Sequence, residues 1–224
     1  MSLVYKTSRG PVLSDVLVSE VLPDLTRAQR TLLAGSGSDR TLRIGEIVGR
    51  VLFGTPTSDN TGNTGNGAMS GLALKANAQL GDYTVECITA TTNAATFAVF
   101  DPLGRRLADA ATDAAYDNGE IAFTIADGGT DFVVGDGFTI TVPVGSKKFV
   151  PLSLTAVDGS ARPAGFSAVK ATAPDGVDAP FVNIERLATF KSTGLIYPAG
   201  ATTDQKTAIL ADLEALNLKA LNAA

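Results

Sequence analysis

The sequence predicts a mainly β protein that ends in one short α-helix, with an antiparallel β-sandwich inserted into the chain of a second body. Three observations predict it. Apolar residues alternate with a period of two along much of the chain, between turns rich in Gly, Pro, Asn and Asp. A helical period sets in only after Gly200. Charge is segregated as well: Asp59 to Gly145 holds eleven acidic and three basic residues, net −8, and the remainder holds twelve acidic and fifteen basic, net +3, which together make the −5 of the 224-residue chain.

The first twenty residues read as an arm. Ser2 to about Glu20 mixes Leu3, Val4, Tyr5, Val12, Leu13, Val16 and Leu17 with Lys6, Arg9 and Gly10-Pro11. Such a segment is too polar for a core of its own and too apolar for a solvated tail, so it is expected to order on binding. It has no uninterrupted apolar stretch, and neither a secretory signal nor a membrane span is expected. "TLRIGEIVGRVL" (Thr41 to Leu52) follows as short strands around a Gly turn. "TSDNTGNTGNGAMSG" (Thr57 to Gly71) has no hydrophobic residue before Ala68 and reads as about ten flexible residues with a span of roughly 16–19 Å.

The acidic segment reads as all-β. In "DYTVECITA", Tyr83, Val85 and Cys87 share one strand face, which makes Cys87 a buried, inert thiol. Asp101-Pro102-Leu103-Gly104 has Pro and Gly placed for a tight turn. Ile121, Phe123 and Ile125 share a face, as do Phe138, Ile140 and Val142. The exit "TVPVGSKKF" is short, so a limited hinge is expected at Gly145, with Gly67 on the flexible side. Beyond it, "KKFVPLSL" reads as a strand and "FVNIERLATFKSTGLIYP" as two extended runs ended by Pro198. Thr202 and Gln205 have capping-box spacing, and Ile209, Leu213 and Leu216 recur at helical intervals for about four turns.

The chemistry-bearing patterns are few. The chain has one Cys and no His, which excludes disulfide frameworks, Cys/His metal sites and imidazole-based catalysis. No phosphate-binding loop, dinucleotide fingerprint or nucleophile elbow occurs. Ser146-Lys147 and Lys191-Ser192 are adjacent pairs whose side chains diverge on a strand. Asp127, Asp131 and Asp136 lie in Asp-Gly turns, where they either bond their own backbone or approach a calcium ion without the spacing of an EF-hand. Basic residues are scattered, which disfavours nucleic acid. The expectation is no catalytic, metal or cofactor residue, and binding or structural work instead of an enzyme.

The flanks carry a resemblance. "DGSARPAGFSAVKATAPDG" and "NIERLATFKSTGLIYPAGATTDQKTAILADL" resemble the lambda-type head decoration proteins of tailed phages, through Ala164 to Val169, Lys191 to Gly194, Ile196 to Pro198 (Ile196, Tyr197, Pro198) and Thr203 to Leu210. "LVSEVLPDLTRAQRTLLAGSGSDRTLRIGEIVGRVL" is similar to the opening of that family. The resemblance covers Leu17 to Leu52 and Lys147 to about Leu216, and residues 59–144 are additional to it. It implies a small β-barrel-like body of residues 21–58 and 145–224, interrupted by a sandwich of residues 59–144 and preceded by a capsid-binding arm of residues 1–20. It also implies a homotrimer on the outer surface of the virion, made in the host cytoplasm, that binds the major capsid protein at three-fold and quasi-three-fold positions and steadies the expanded head. Neither cofactor, nucleic acid nor membrane is implied. The alternative is a virion-surface module in which an immunoglobulin-like insert binds a host surface or glycan. Against it stand the absence of Trp and the apolar-face positions of Phe97, Phe100, Phe123, Phe132 and Phe138.

Overall fold

A computed structural model describes residues 11–221, in two compact units. The first takes the described chain up to Arg50, Lys148–Thr155 and everything from Ser160 on; the second takes Val51–Lys147 with Ala156–Gly159. The protein is mainly β and has a short helix near its C-terminus.

In the first unit five strands pair in a ring: Phe149–Pro151, Arg27–Leu32, Ala179–Ile184, Pro163–Ser167 and Ile47–Arg50, the last returning to the first. Four contacts are antiparallel and one, Phe149 on Leu32, is parallel. Closure satisfies strand edges that would otherwise be open. The turn into a tight ring requires close backbone approaches. Gly165 has φ +116°, and a Cβ there would stand 2.2 Å from the Ile184 carbonyl oxygen, beside a register shift between Pro163 and Phe166. Leu32, Leu42, Val48, Phe149, Ala173 and Phe181 form one core of this unit. A second core gathers Val16, Ile47, Phe166, Ile184, Phe190, Ile209, Leu213 and Leu218.

The C-terminal helix is Thr203–Ala215. The Gln205 N–H donates to Thr202 Oγ1 (3.2 Å) and the Thr202 N–H to Gln205 Oε1 (2.9 Å), so the capping box read from the sequence forms. Ile209 and Leu213 are its buried residues. Among the described residues the helix is not the last element, however. Asn217, at φ +60°, reverses it into a strand, Leu218–Leu221, that lies parallel to Ala188–Lys191. Leu17–Glu20 covers the other edge of Ala188–Lys191, completing a three-stranded sheet.

The second unit holds two antiparallel sheets around one core. A five-stranded sheet runs Thr57–Asp59, Gly137–Val142, Gly81–Thr91, Ala94–Phe100, Ala110–Ala111, and a three-stranded sheet runs Ala115–Asp117, Ile121–Ala126, Ala68–Leu74. The alternating sets Tyr83/Val85/Cys87, Ile121/Phe123/Ile125 and Phe138/Ile140/Val142 all point into that core, as their period of two requires. Phe97 meets Phe132 edge to face at 5.2 Å, and Tyr116 stacks on Phe123 at 4.6 Å. Phe100, also expected inside, is half-buried.

The Asn/Gly-rich stretch expected to be flexible is folded into this unit. Asn63 Oδ1 accepts from the Gly137 N–H (2.7 Å), and Asn66 Oδ1 accepts from the Thr130 N–H (2.9 Å). Gly65 and Gly67 lie against Phe132, where a Cβ on Gly67 would come within 2.4 Å of the ring. The segments that lead in and out are paired with each other instead: the Gly54 N–H donates to the Pro143 carbonyl (2.8 Å), the Gly145 N–H to Leu52 (2.7 Å) and the Lys147 N–H to Val51 (2.9 Å).

Candidate functional site

The family-like residues of the flanks converge on the root of the N-terminal segment. Leu13–Asp15 forms a single 3-10 turn, in which the Val12 N–H donates to Asp15 Oδ2 (3.1 Å) and the Asp15 N–H to the Val12 carbonyl (3.0 Å). Val16 then drops into the core and Leu13 packs at its margin. The turn after Ala188–Lys191 holds this root in place: the Lys191 N–H donates to the Val16 carbonyl (2.8 Å). A Cβ on Gly194 would stand 2.6 Å from the Asp15 carbonyl oxygen, so only glycine admits this approach. Gly45, at φ +79°, presses on the same point; its Cβ would come 2.8 Å from both the Gly194 oxygen and a Val16 methyl.

Ile196, Tyr197 and Pro198 continue away from that clasp. The Ile196 N–H donates to Gly45 (2.9 Å) and the Ile47 N–H to Ile196 (3.3 Å). Together with Leu152, Leu154 and Arg43 they line an open groove of about 540 Å³. Arg43 and Glu46 are bonded within it (Nε to Oε2, 3.2 Å). Burial pushes the Tyr197 phenol up, and the Lys206 ammonium sits 5.6 Å from the centre of its ring.

Leu13, Lys191, Gly194, Ile196, Tyr197 and Pro198 therefore form one neighbourhood of the first unit, with the half-buried Val12 at its edge. Leu3, Val4, Tyr5, Lys6 and Arg9 lie outside the described residues. The expected hinge residues are placed in the second unit, Gly67 beneath Phe132 and Gly145 in the paired lead-out. Gly45 and Asp15 were not singled out by sequence, and Val16 was read only as one apolar residue of the arm; the only trace of Gly45 is the Gly turn inside "TLRIGEIVGRVL".

The acidic residues of the second unit serve its loops. Asp136 accepts from the Thr64, Gly65 and Val133 N–H groups (2.8, 2.9 and 3.0 Å), and Asp131 accepts from the Asn93 N–H (3.1 Å). Burial pushes the Asp136 carboxyl up, but the amide donors outweigh it and hold it below the ordinary carboxylate range. Asp101 is held low in the same way: burial is outweighed by the Arg105 N–H and guanidinium, the latter at 2.5 Å, and by Gln79 and the Leu103 N–H. Tyr83 donates to Glu120 Oε2 (2.9 Å), and its phenol is pushed up, chiefly by burial. Among the described residues no group of three or more metal-capable side chains assembles, and no helix is long and apolar enough to cross a membrane. Burial pushes the Cys87 thiol up, and its sulfur donates to the Thr89 carbonyl (3.4 Å), as befits a packing residue.

A segment rooted by backbone clasps on a small barrel, beside a half-apolar groove, is the architecture of a structural binding protein. The profile of Bacteriophage lambda head decoration protein D matches residues 7–218, and the chain belongs to that family. It is therefore a structural, capsid-binding protein of the phage head, with the major capsid protein as its implied partner. No curated protein matches the chain in sequence. Two crystal structures of Xanthomonas campestris FlgL, in space groups H3 and C2, are partly similar, each with TM-score 0.32 and 21% identity over 46% of this chain. The likeness spans only 34% and 33% of FlgL, and at that level it says nothing of function.

Proposed function

We propose that this protein is a capsid cement protein. It assembles as a homotrimer, sits on the outside of the expanded head at three-fold and quasi-three-fold positions, and holds neighbouring major capsid subunits together against the pressure of packaged DNA. The observation that carries this reading is the family match over residues 7–218, which spans the root of the N-terminal segment and both parts of the body. Size-exclusion chromatography with light scattering tests the trimer. Addition to purified expanded heads lacking decoration, followed by a heat challenge, tests the cementing role: decorated heads should retain their DNA at temperatures that burst bare ones. A monomer that leaves head stability unchanged overturns the reading.

In this mechanism the N-terminal arm adds a strand to an exposed sheet edge of the capsid. Main-chain hydrogen bonds then supply affinity and alternate side chains supply register. Deleting Ser2 to Pro11 should abolish decoration while the trimer stays folded; undiminished binding by the truncated protein refutes it. The net +3 flanks face the shell and the net −8 segment faces solvent. There its charge repels neighbouring virions at separations within a Debye length of about 8–10 Å. A cryo-EM map with the acidic unit wedged against the shell contradicts that orientation.

A further inference from the structure

The outer face of the three-stranded sheet is built inside out. Shortly after Leu17–Glu20, the single turn Pro23–Thr26 buries the polar Thr26, whose hydroxyl donates to the Leu187 carbonyl (3.3 Å). Its apolar residues point to solvent instead: Val21 is 65% exposed, Leu22 55% and Leu25 50%. Val18 adds to them, because a register shift between Leu17 and Ser19 leaves it outside the ladder. Leu187 completes the cluster; its backbone is left-handed (φ +53°), and it receives the Val21 N–H at 3.2 Å. Of these, Val21 and Leu187 line a depression of about 300 Å³ together with Ser19, Thr189 and Lys219. Lys191 and Leu221 share that face by register.

An apolar cluster of this size on a folded unit marks an interaction surface. We infer that this face binds the major capsid protein, at a patch carrying apolar side chains and at least one carboxylate; the inference rests on the capsid-binding reading above. Two features select that partner. The face is continuous along the chain with the root of the N-terminal segment, through Val16 and Leu17, so one partner surface meets both. Its charge is also one-sided. The Glu20 and Arg27 side chains neutralise each other (Nε to Oε2, 2.9 Å), whereas Lys191 and Lys219 have no ion pair among the described residues. A two-fold contact with the same face of a second copy would set lysine against lysine.

The test uses the full chain and undecorated expanded heads in a co-sedimentation assay. Leu22→Glu/Leu25→Glu should weaken binding at least tenfold, with the melting temperature and solution mass unchanged. Lys191→Glu/Lys219→Glu should also weaken it, by a route independent of the apolar rim. Leu103→Glu, at a 74% exposed turn of the second unit, should bind as the unaltered protein does. Full binding by both double variants overturns the inference while leaving the family reading in place. A change of solution mass in either assigns the face to self-assembly and overturns it too. Failure of the unaltered protein to sediment removes the reading and the inference together.

Discussion

Asp136 gives the sharpest test of how the second unit orders its Asn/Gly-rich stretch. Its side chain lies in a residue only 5% exposed, and its two oxygens receive three backbone N–H groups, from Thr64, Gly65 and Val133. Asp136→Ala removes the acceptor and leaves those donors against a methyl group. One buried donor without a partner costs about 1–3 kcal/mol, and because the three neighbours relax together the total is set at about 3 kcal/mol. At about 1.4 kcal/mol per factor of ten, local opening should become roughly 100-fold more frequent. Native-state hydrogen exchange by mass spectrometry at pH 7 reads this in peptides covering residues 63–66 and 132–138, and in the Cys87 amide, which donates to the Asp136 carbonyl (2.7 Å). The pH dependence follows from the lowered carboxyl. A group whose folded pKa lies below its unfolded value stabilises fully above the unfolded value, about 3.9 for Asp, and loses that contribution as pH falls through the folded one. The difference between the native protein and Asp136→Ala should thus be complete at pH 7 and fade below about pH 4. Exchange within threefold of the unaltered protein at pH 7 would refute the anchoring role.

Three further outcomes are expected. Gly165→Ala forces a Cβ to 2.2 Å from the Ile184 oxygen at φ +116°, and should lower stability by about 3 kcal/mol or more, read as a reduced urea midpoint at constant slope. Thr202→Ala removes half of the capping box and should cost about 1 kcal/mol, seen as faster amide exchange confined to the first turn of the C-terminal helix. Head binding should vary less than twofold between pH 6 and 8, because the chain has no His and burial pushes both the Cys87 thiol and the Tyr116 phenol up, the latter to about 12; a sharp detachment in that window refutes this.

Strand faces were legible because alternation is a property of one strand. Tyr83, Val85 and Cys87 had to share a side whatever their neighbours, and so did Phe138, Ile140 and Val142. The capping box of Thr202 and Gln205 is equally local. Pairing is not. The parallel contact of Phe149 with Leu32 joins opposite flanks of the chain, and the strand Leu218–Leu221 looks in sequence like the tail of the preceding helix. "TSDNTGNTGNGAMSG" has the composition of a linker, but the carbonyl oxygens of Asn63 and Asn66 find amide donors at Gly137 and Thr130, which no local reading could supply. The candidate site was legible in part: Lys191, Gly194 and Ile196 to Pro198 stood out, whereas Gly45 did not, and Val16 stood out only as an arm residue, not as the buried root that they clasp. "VSEVLPDL" reads in sequence as the end of the arm and the family-like opening, and only burial shows its apolar residues on the outside.

The sequence by itself determined the β character, the faces of the main strands, the start of the terminal helix and the confinement of net negative charge to the middle of the chain, since each follows from backbone geometry within a few residues or from counting. Tertiary structure alone decided which five strands pair into the ring, that the N-terminal segment is rooted at Gly194, and that Val21, Leu22 and Leu25 remain in water. Those outcomes depend on which faces bury one another, a free energy summed over residues far apart in the chain, where local propensity is a minor contributor.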